Sequence, residues 1–376
     1  MKNKKKSYHL LLQILIGAVI GFFIGLLLAR LLPKRDPAKP FSLSASLLSA
    51  GLTLLWAGLC MFASVLAHEA GHLVCGLLSG YRFVSYRAGS FILYRRGGKL
   101  HVGRYHLAGT GGQCLLAPPG EFGEAFPYVL YNLGGVLANL VLGAVLIAGG
   151  VLCPPPAQLL LVLAGAVSIL MGLPNLLPMK SFSTDGTNLL LARRSEAARR
   201  AFWATLAVNE QLTEGRRLRE LPQEWFAAPP LGPDSDPLIL GVHCTAVQRL
   251  VDEGRLEEAA AGYRAVLEQG ARLIDLQKNE LRCELLLLAL LTGDQDTIKT
   301  LDTPELQKYR QITADYPSRL CLSYAEALLR DQDAAAAQAR RALFVKKAPA
   351  YPLLGETLLY QDLLDAADAR TRQAQL

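Results

Sequence analysis

The chain has 376 residues, 51% of them hydrophobic, and 39 Lys or Arg against 32 Asp or Glu give a formal charge of +7. That charge is not a nucleic-acid signature, because it is divided: residues 1–200 carry 19 basic and 6 acidic side chains, and the remainder carries 20 and 26. The basic residues flank apolar runs, where lipid headgroups are their natural partners, and the acidic remainder reads as a soluble helical domain. The seven cysteines (60, 75, 114, 153, 244, 283 and 321) stand singly without a C-x-x-C pair, which argues against a disulfide framework and for free, mostly packed thiols.

In chain order, Lys2, Lys4, Lys5 and Lys6 precede an apolar run from Leu10 to Ala29 interrupted only by Gln13. The run exceeds a signal-peptide core and no clean small-x-small cleavage site follows, so a retained membrane helix with a cytoplasmic N-terminus is expected. Gly17, Gly21 and Gly25 are either a ridge for close helix approach or the ordinary glycine content of membrane helices. Pro33 to Pro40 forms a short polar loop, which places an N-terminal span and loop at residues 1–43.

A second apolar run extends from about Leu47 to Leu78 and contains His68-Glu69-Ala70-Gly71-His72. On a helix, residues four apart share a face, so His68 and His72 can hold one zinc ion while Glu69 acts as a base on water. Ionisable groups inside such a span are costly and read as functional. The run is longer than one crossing needs, so a kink or break near Gly71 or Gly76 is expected. Cys75, about one turn beyond His72, is a conceivable fourth ligand, although a catalytic zinc keeps one position open.

Residues 81–123 change character. Phe91 to Arg96, Gly97-Gly98 and Lys99 to Val102 read as a β-hairpin with a two-residue glycine turn. Six Lys or Arg between Arg82 and Arg104 mark a cytoplasmic loop, on which His101 and His106 are expected at the surface. Gly109-Thr110-Gly111-Gly112 lacks the lysine of a phosphate loop and reads as a flexible turn.

Two further apolar runs, about 127–152 and 157–179, are joined by Cys153-Pro154-Pro155-Pro156. Asn139 lies well inside the first and wants a hydrogen-bond partner there. The second leads to Asn175, Pro178, Asp185 and Gly186, on the membrane side of the histidine motif, with Arg193, Arg194, Arg199 and Arg200 following.

The H-E-x-x-H of His68 to His72, Gly135-x-x-x-Asn139, and Asn175-x-x-Pro178 followed by Asp185-Gly186 resemble, in order, the motifs of the site-2 protease family of zinc intramembrane metalloproteases. The resemblance covers residues from about 45 to 190. It implies one zinc ion held by His68, His72 and Asp185, Glu69 as general base, and Asn139 and Asn175 positioning substrate or transition state. It also implies a single-span or membrane-tethered protein as substrate. This chain departs from the family twice: ten residues rather than eight separate Asn175 from Asp185, and Val136 stands where a proline often follows the glycine. The next acid, Glu196, lies beyond an arginine pair.

After Phe202 the chain turns polar, with Pro222 and Pro229 to Pro237 marking a linker. From about 238, helices of roughly 12–16 residues alternate with short turns. Gly254, Ala259 and Tyr263 resemble the tetratricopeptide pattern, and Ala335, Ala339 and Ala342 repeat the small-residue spacing. Arrays of this kind bind peptides or proteins on a concave face.

The expected fold is therefore mainly α: a polytopic membrane protein of about four transmembrane helices with a small β-hairpin insert, plus a soluble α-helical repeat-like domain. The expected divisions are residues 1–43, a catalytic membrane domain 44–195 with its insert at about 81–123, a linker 196–237, and a tetratricopeptide-like domain 238–376. Multi-pass insertion in the cell membrane, with N-terminus and C-terminal domain cytoplasmic, follows from the charge pattern, and no nucleic-acid partner is expected. Two other readings remain: a membrane-anchored helical scaffold with a vestigial metal site, against which the intact ligands count, and a transporter, which lacks internal repeats and a charged pathway.

Overall fold

The computed structural model describes residues 42–123, 125–178, 184–270 and 272–374. The expected first span, Leu10 to Ala29 with its glycine ridge, lies outside the described residues. The described chain is mainly helical with one small antiparallel sheet. It gathers into two units, one containing the residues up to Gly71 with Gly134–Leu176, the other His72–Leu133 with Leu177 onward. The division passes through a helix, between Gly71 and His72.

Three described helices are long and apolar enough to cross a membrane: α1 (Leu43–Leu78), α2 (Tyr128–Val151) and α3 (Ala157–Leu176). In the first unit they approach through glycine. A Cβ on Gly143 would lie 2.8 Å from the Gly165 carbonyl oxygen, and one on Gly165 would lie 2.7 Å from that of Gly143. Only small residues permit such backbone contact, the usual device where lipid removes the hydrophobic drive to associate. Leu47, Leu48, Leu52, Leu55 and Leu59 are exposed along α1, a surface suited to hydrocarbon rather than to water.

Of the expected kink or break near Gly71 or Gly76, the break is absent: the helix is continuous over its 36 residues. Gly71 and Gly76 serve contact instead. A Cβ on Gly71 would meet the Gly134 carbonyl oxygen at 2.2 Å, and one on Gly76 would meet Leu116 Cδ1 at 2.1 Å.

In the second unit the insert is a four-stranded sheet, not a lone hairpin: β1 (Arg82–Ala88), β2 (Phe91–Arg96), β3 (Lys99–Arg104) and β4 (Gly112–Ala117), in the order β3-β2-β1-β4. The β2–β3 turn is the expected Gly97-Gly98, with φ of 56° and 75°, values open to glycine at little cost. Strand β1 escapes period-two reading because its register shifts between Phe83 and Ser85, so Val84 and Ser85 are both buried. Arg87, 1% exposed, donates to the carbonyls of Gly89 (2.7 Å) and Gly112 (3.2 Å), which ties the glycine-rich turn to the sheet.

The segment following residue 195 is not a linker at its start. It forms α5 (Glu196–Glu214), directly after α4 (Asp185–Arg194), and its Phe202, Trp203 and Leu206 pack with Tyr81, Leu116 and Tyr131 in one buried cluster. The array beyond it comprises α6 (Pro237–Asp252), α7 (Leu256–Gln269), α8 (Asp275–Thr292), α9 (Gln295–Leu301), α10 (Pro304–Ile312), α11 (Pro317–Ala325), α12 (Ala334–Lys347) and α13 (Leu354–Ala374). Gly254, at φ 76°, makes the α6–α7 turn, and Ala259 and Tyr263 are buried. The second proposed stripe fails: Ala335, Ala339 and Ala342 are exposed, and α12 buries Ala337 and Phe344. The small residues there lie out of phase with the inward face.

Candidate metal centre

Helix α1 carries His68, Glu69 and His72 at 9%, 8% and 7% exposure. Burial of three ionisable groups within an apolar helix needs partners, and each histidine has one in its own unit. In the first unit, Asn139 of α2 is fully buried with its Nδ2 3.4 Å from His68 Nδ1. The Ser168 hydroxyl of α3 donates to the Asn139 backbone carbonyl at 2.9 Å, and Gly172 leaves room beside the Asn139 side chain. Asn139 Oδ1 has no hydrogen-bond partner among the described residues. Turned over, the same amide would present Oδ1 to His68 Nδ1–H and satisfy both groups.

In the second unit, His72 Nδ1 lies 2.8 Å from the Tyr131 carbonyl oxygen. A carbonyl only accepts, so Nδ1 carries the proton and the Nε2 lone pair is left for another use. Nε2 faces Asp185 Oδ2 at 3.5 Å. Tyr131 is itself held, its hydroxyl donating to the Cys114 carbonyl at 2.8 Å and its ring stacked on Tyr81.

Asp185 is the first residue of α4, not its cap. The cap is Thr184, whose Oγ1 accepts from Thr187 N at 3.2 Å and donates to the Leu177 carbonyl at 2.8 Å. Capping by Thr184 releases the Asp185 carboxylate from that duty, and a first-turn position suits its charge. The two residues by which the Asn175–Asp185 spacing exceeds the family's fall in a stretch whose 179–183 lie outside the described residues.

His68 and His72 are one turn apart on one uninterrupted helix, and within the second unit His72 Nε2 faces Asp185 Oδ2 across the 3.5 Å just given. Bond lengths of about 2.0–2.2 Å to zinc put tetrahedral ligand atoms roughly 3.4 Å apart, so the His72–Asp185 separation already suits a shared ion. Two imidazoles and a carboxylate, with histidine Nδ1 atoms held by a carbonyl and an amide, are the donor set and outer support that a catalytic zinc uses. The residues present fit the ion.

Other expected site residues fall elsewhere. Asn175 donates its amide to the Met171 carbonyl of its own helix at 3.0 Å. Cys75 is outside the three-residue group. His101 and His106 are exposed, His101 stacking on Tyr94. The Tyr131 carbonyl and Ser168 were not anticipated: a backbone carbonyl has no sequence signal, and a serine in an apolar helix is a weak one. Compared with known proteins, the chain matches no family model, no curated protein and no solved structure.

Proposed function

We propose that the protein is an intramembrane zinc metalloprotease of the site-2 protease type, cleaving peptide bonds within or next to the transmembrane segments of membrane-tethered proteins. The observation that carries this reading is the approach of His72 to Asp185, more than 110 residues further along the chain, with His68 and the buried Glu69 on the same helix as His72. The motifs resembling that family supply the reaction class. His68, His72 and Asp185 would hold the ion. Bound zinc supplies the Lewis acidity that polarises the scissile carbonyl and acidifies water.

Glu69 takes the proton of the attacking water and delivers it to the leaving amide nitrogen. The Tyr131 carbonyl keeps the His72 ring in its Nδ1–H tautomer, so Nε2 would be the atom that holds the ion. A helical substrate must unwind first, and the terminal strand β3 offers it an unpaired edge to join. In this reading α1, α2, α3 and the run 10–29 span the cell membrane, with the sheet and the helical array on the cytoplasmic side, the array taking a protein or peptide partner.

Wild type and Glu69→Gln, purified in detergent, are incubated with single-span substrates. Cleavage by wild type with at least a thousandfold loss in the variant supports the proposal. Equal cleavage by both contradicts it.

A further inference from the structure

A cavity of about 670 Å³ opens beside the end of β3, lined among others by Arg104, Tyr105, His106, Tyr316, Lys346 and Tyr351. It joins the loop after β3 to the end of α10, the turn before α11 and the end of α12 within the second unit. Its charge is unbalanced. Lys347 pairs with Asp315, both also at the cavity, but Arg104 and Lys346 form no ion pair among the described residues. The Arg104 guanidinium lies 5.2 Å from the centre of the Phe91 ring, a cation–π contact that orients it without neutralising it. Burial raises the Tyr105, Tyr316 and Tyr351 phenols above their ordinary range, so they stay neutral walls. Two cations over neutral aromatic walls suit an acidic side chain.

The adjoining edge defines how such a group arrives. Tyr105 N donates to the Ser90 carbonyl at 2.8 Å, and the next pair along is Phe91 with Arg104. Antiparallel pairs alternate between bonded and non-bonded, so the backbone groups of Leu100, Val102 and Arg104 point outward from the sheet. Leu100 and Val102 are 64% and 79% exposed, leaving this edge and its apolar side chains open. Arg104 is thus both the last outward pairing position and a wall of the cavity.

We propose that β3 and this cavity together bind an extended protein segment with an acidic residue, Asp or Glu, just beyond the position paired with Arg104. The inference deepens the proposed function, because it rests on β3 receiving the substrate, and it names a specificity rule for that substrate. Backbone pairing along Leu100–Arg104 supplies sequence-independent affinity. Arg104 and Lys346 read the acid.

The test uses full-length Glu69→Gln protein in detergent, so that binding is measured without cleavage. Fluorescent ten-residue β-forming peptides ending in Asp-Glu or in Asn-Gln are titrated at low and at 0.5 M salt. Partly exposed ion pairs contribute up to about 1 kcal/mol each, so the acidic peptide should bind about tenfold tighter at low salt, the margin shrinking at high salt. Arg104→Glu with Lys346→Glu should remove that preference and favour a Lys-Lys peptide. Both positions are exposed, and an unchanged melting temperature shows that the variant folds. Equal affinity for acidic and amide peptides overturns the inference, as does a preference that survives the double variant or free aspartate binding as tightly as the peptide. A binding preference without wild-type cleavage would sink the protease reading and leave this site standing; cleavage without preference would do the reverse.

Discussion

Replacing Gly71 by alanine probes the support of the centre with one methyl group. The new Cβ would lie 2.2 Å from the Gly134 carbonyl oxygen and 2.6 Å from Ala138 Cβ, where ordinary contact begins at 3.4 Å. Both obstacles are on α2 and the nearer is backbone, so α1 and α2 must part by about 1 Å. Overpacking of this kind costs about 1–3 kcal/mol, and the backbone obstacle puts Gly71→Ala near the upper end. The displaced residue sits beside His72 and two positions from Glu69, where misplacement by about 1 Å costs on the order of a hundredfold in rate. Gly51 and Gly58, on the same helix with nothing within 4 Å, are the controls. Their alanine variants should stay within about 0.5 kcal/mol of wild type. Melting temperature, bound zinc and substrate cleavage are compared in one detergent. Gly71→Ala as stable and as active as Gly58→Ala would refute the close approach of α1 to α2.

Asn139→Ala removes the partner of His68 Nδ1 and should weaken zinc binding by about 10–100-fold in a chelator competition. Lost cleavage at unchanged zinc affinity would instead assign Asn139 to the substrate. In the helical array, burial pushes the Glu284 carboxyl up to about 7, the nearby Arg319 and the Tyr360 hydroxyl opposing the rise. An unfolded glutamate titrates near 4.3, so between these values the folded state holds more protons and stability falls as pH rises, then levels above 7. Melting of the array should show wild type losing about 1–3 kcal/mol between pH 5 and 8 relative to Glu284→Gln; parallel profiles would refute the raised value.

Chemistry was more legible in the sequence than shape. His68, Glu69 and His72 announce themselves by spacing on an apolar helix, and the three described apolar helices follow from length and composition. The Gly97-Gly98 turn was legible because few residues tolerate its backbone. Strand β1 was not, because a register shift buries neighbours on both faces, and β4 begins in a glycine-rich stretch with no clear alternation. The contact role of Gly71 and Gly76 was not legible, because a glycine at a close contact and one at a kink look alike without the opposing backbone. Ala335, Ala339 and Ala342 shared a spacing but not a phase. The tautomer of His72 depends on a main-chain carbonyl, for which the sequence has no letter.

The measurement bearing most directly on the proposed centre is the metal content of purified protein, wild type beside Asp185→Ala, His68→Ala and Glu69→Gln. A three-ligand zinc site predicts about one zinc per chain in wild type and in Glu69→Gln, and well below half occupancy in the two ligand variants after dialysis against a mild chelator. Wild type without zinc, or Asp185→Ala holding as much as wild type, would contradict it.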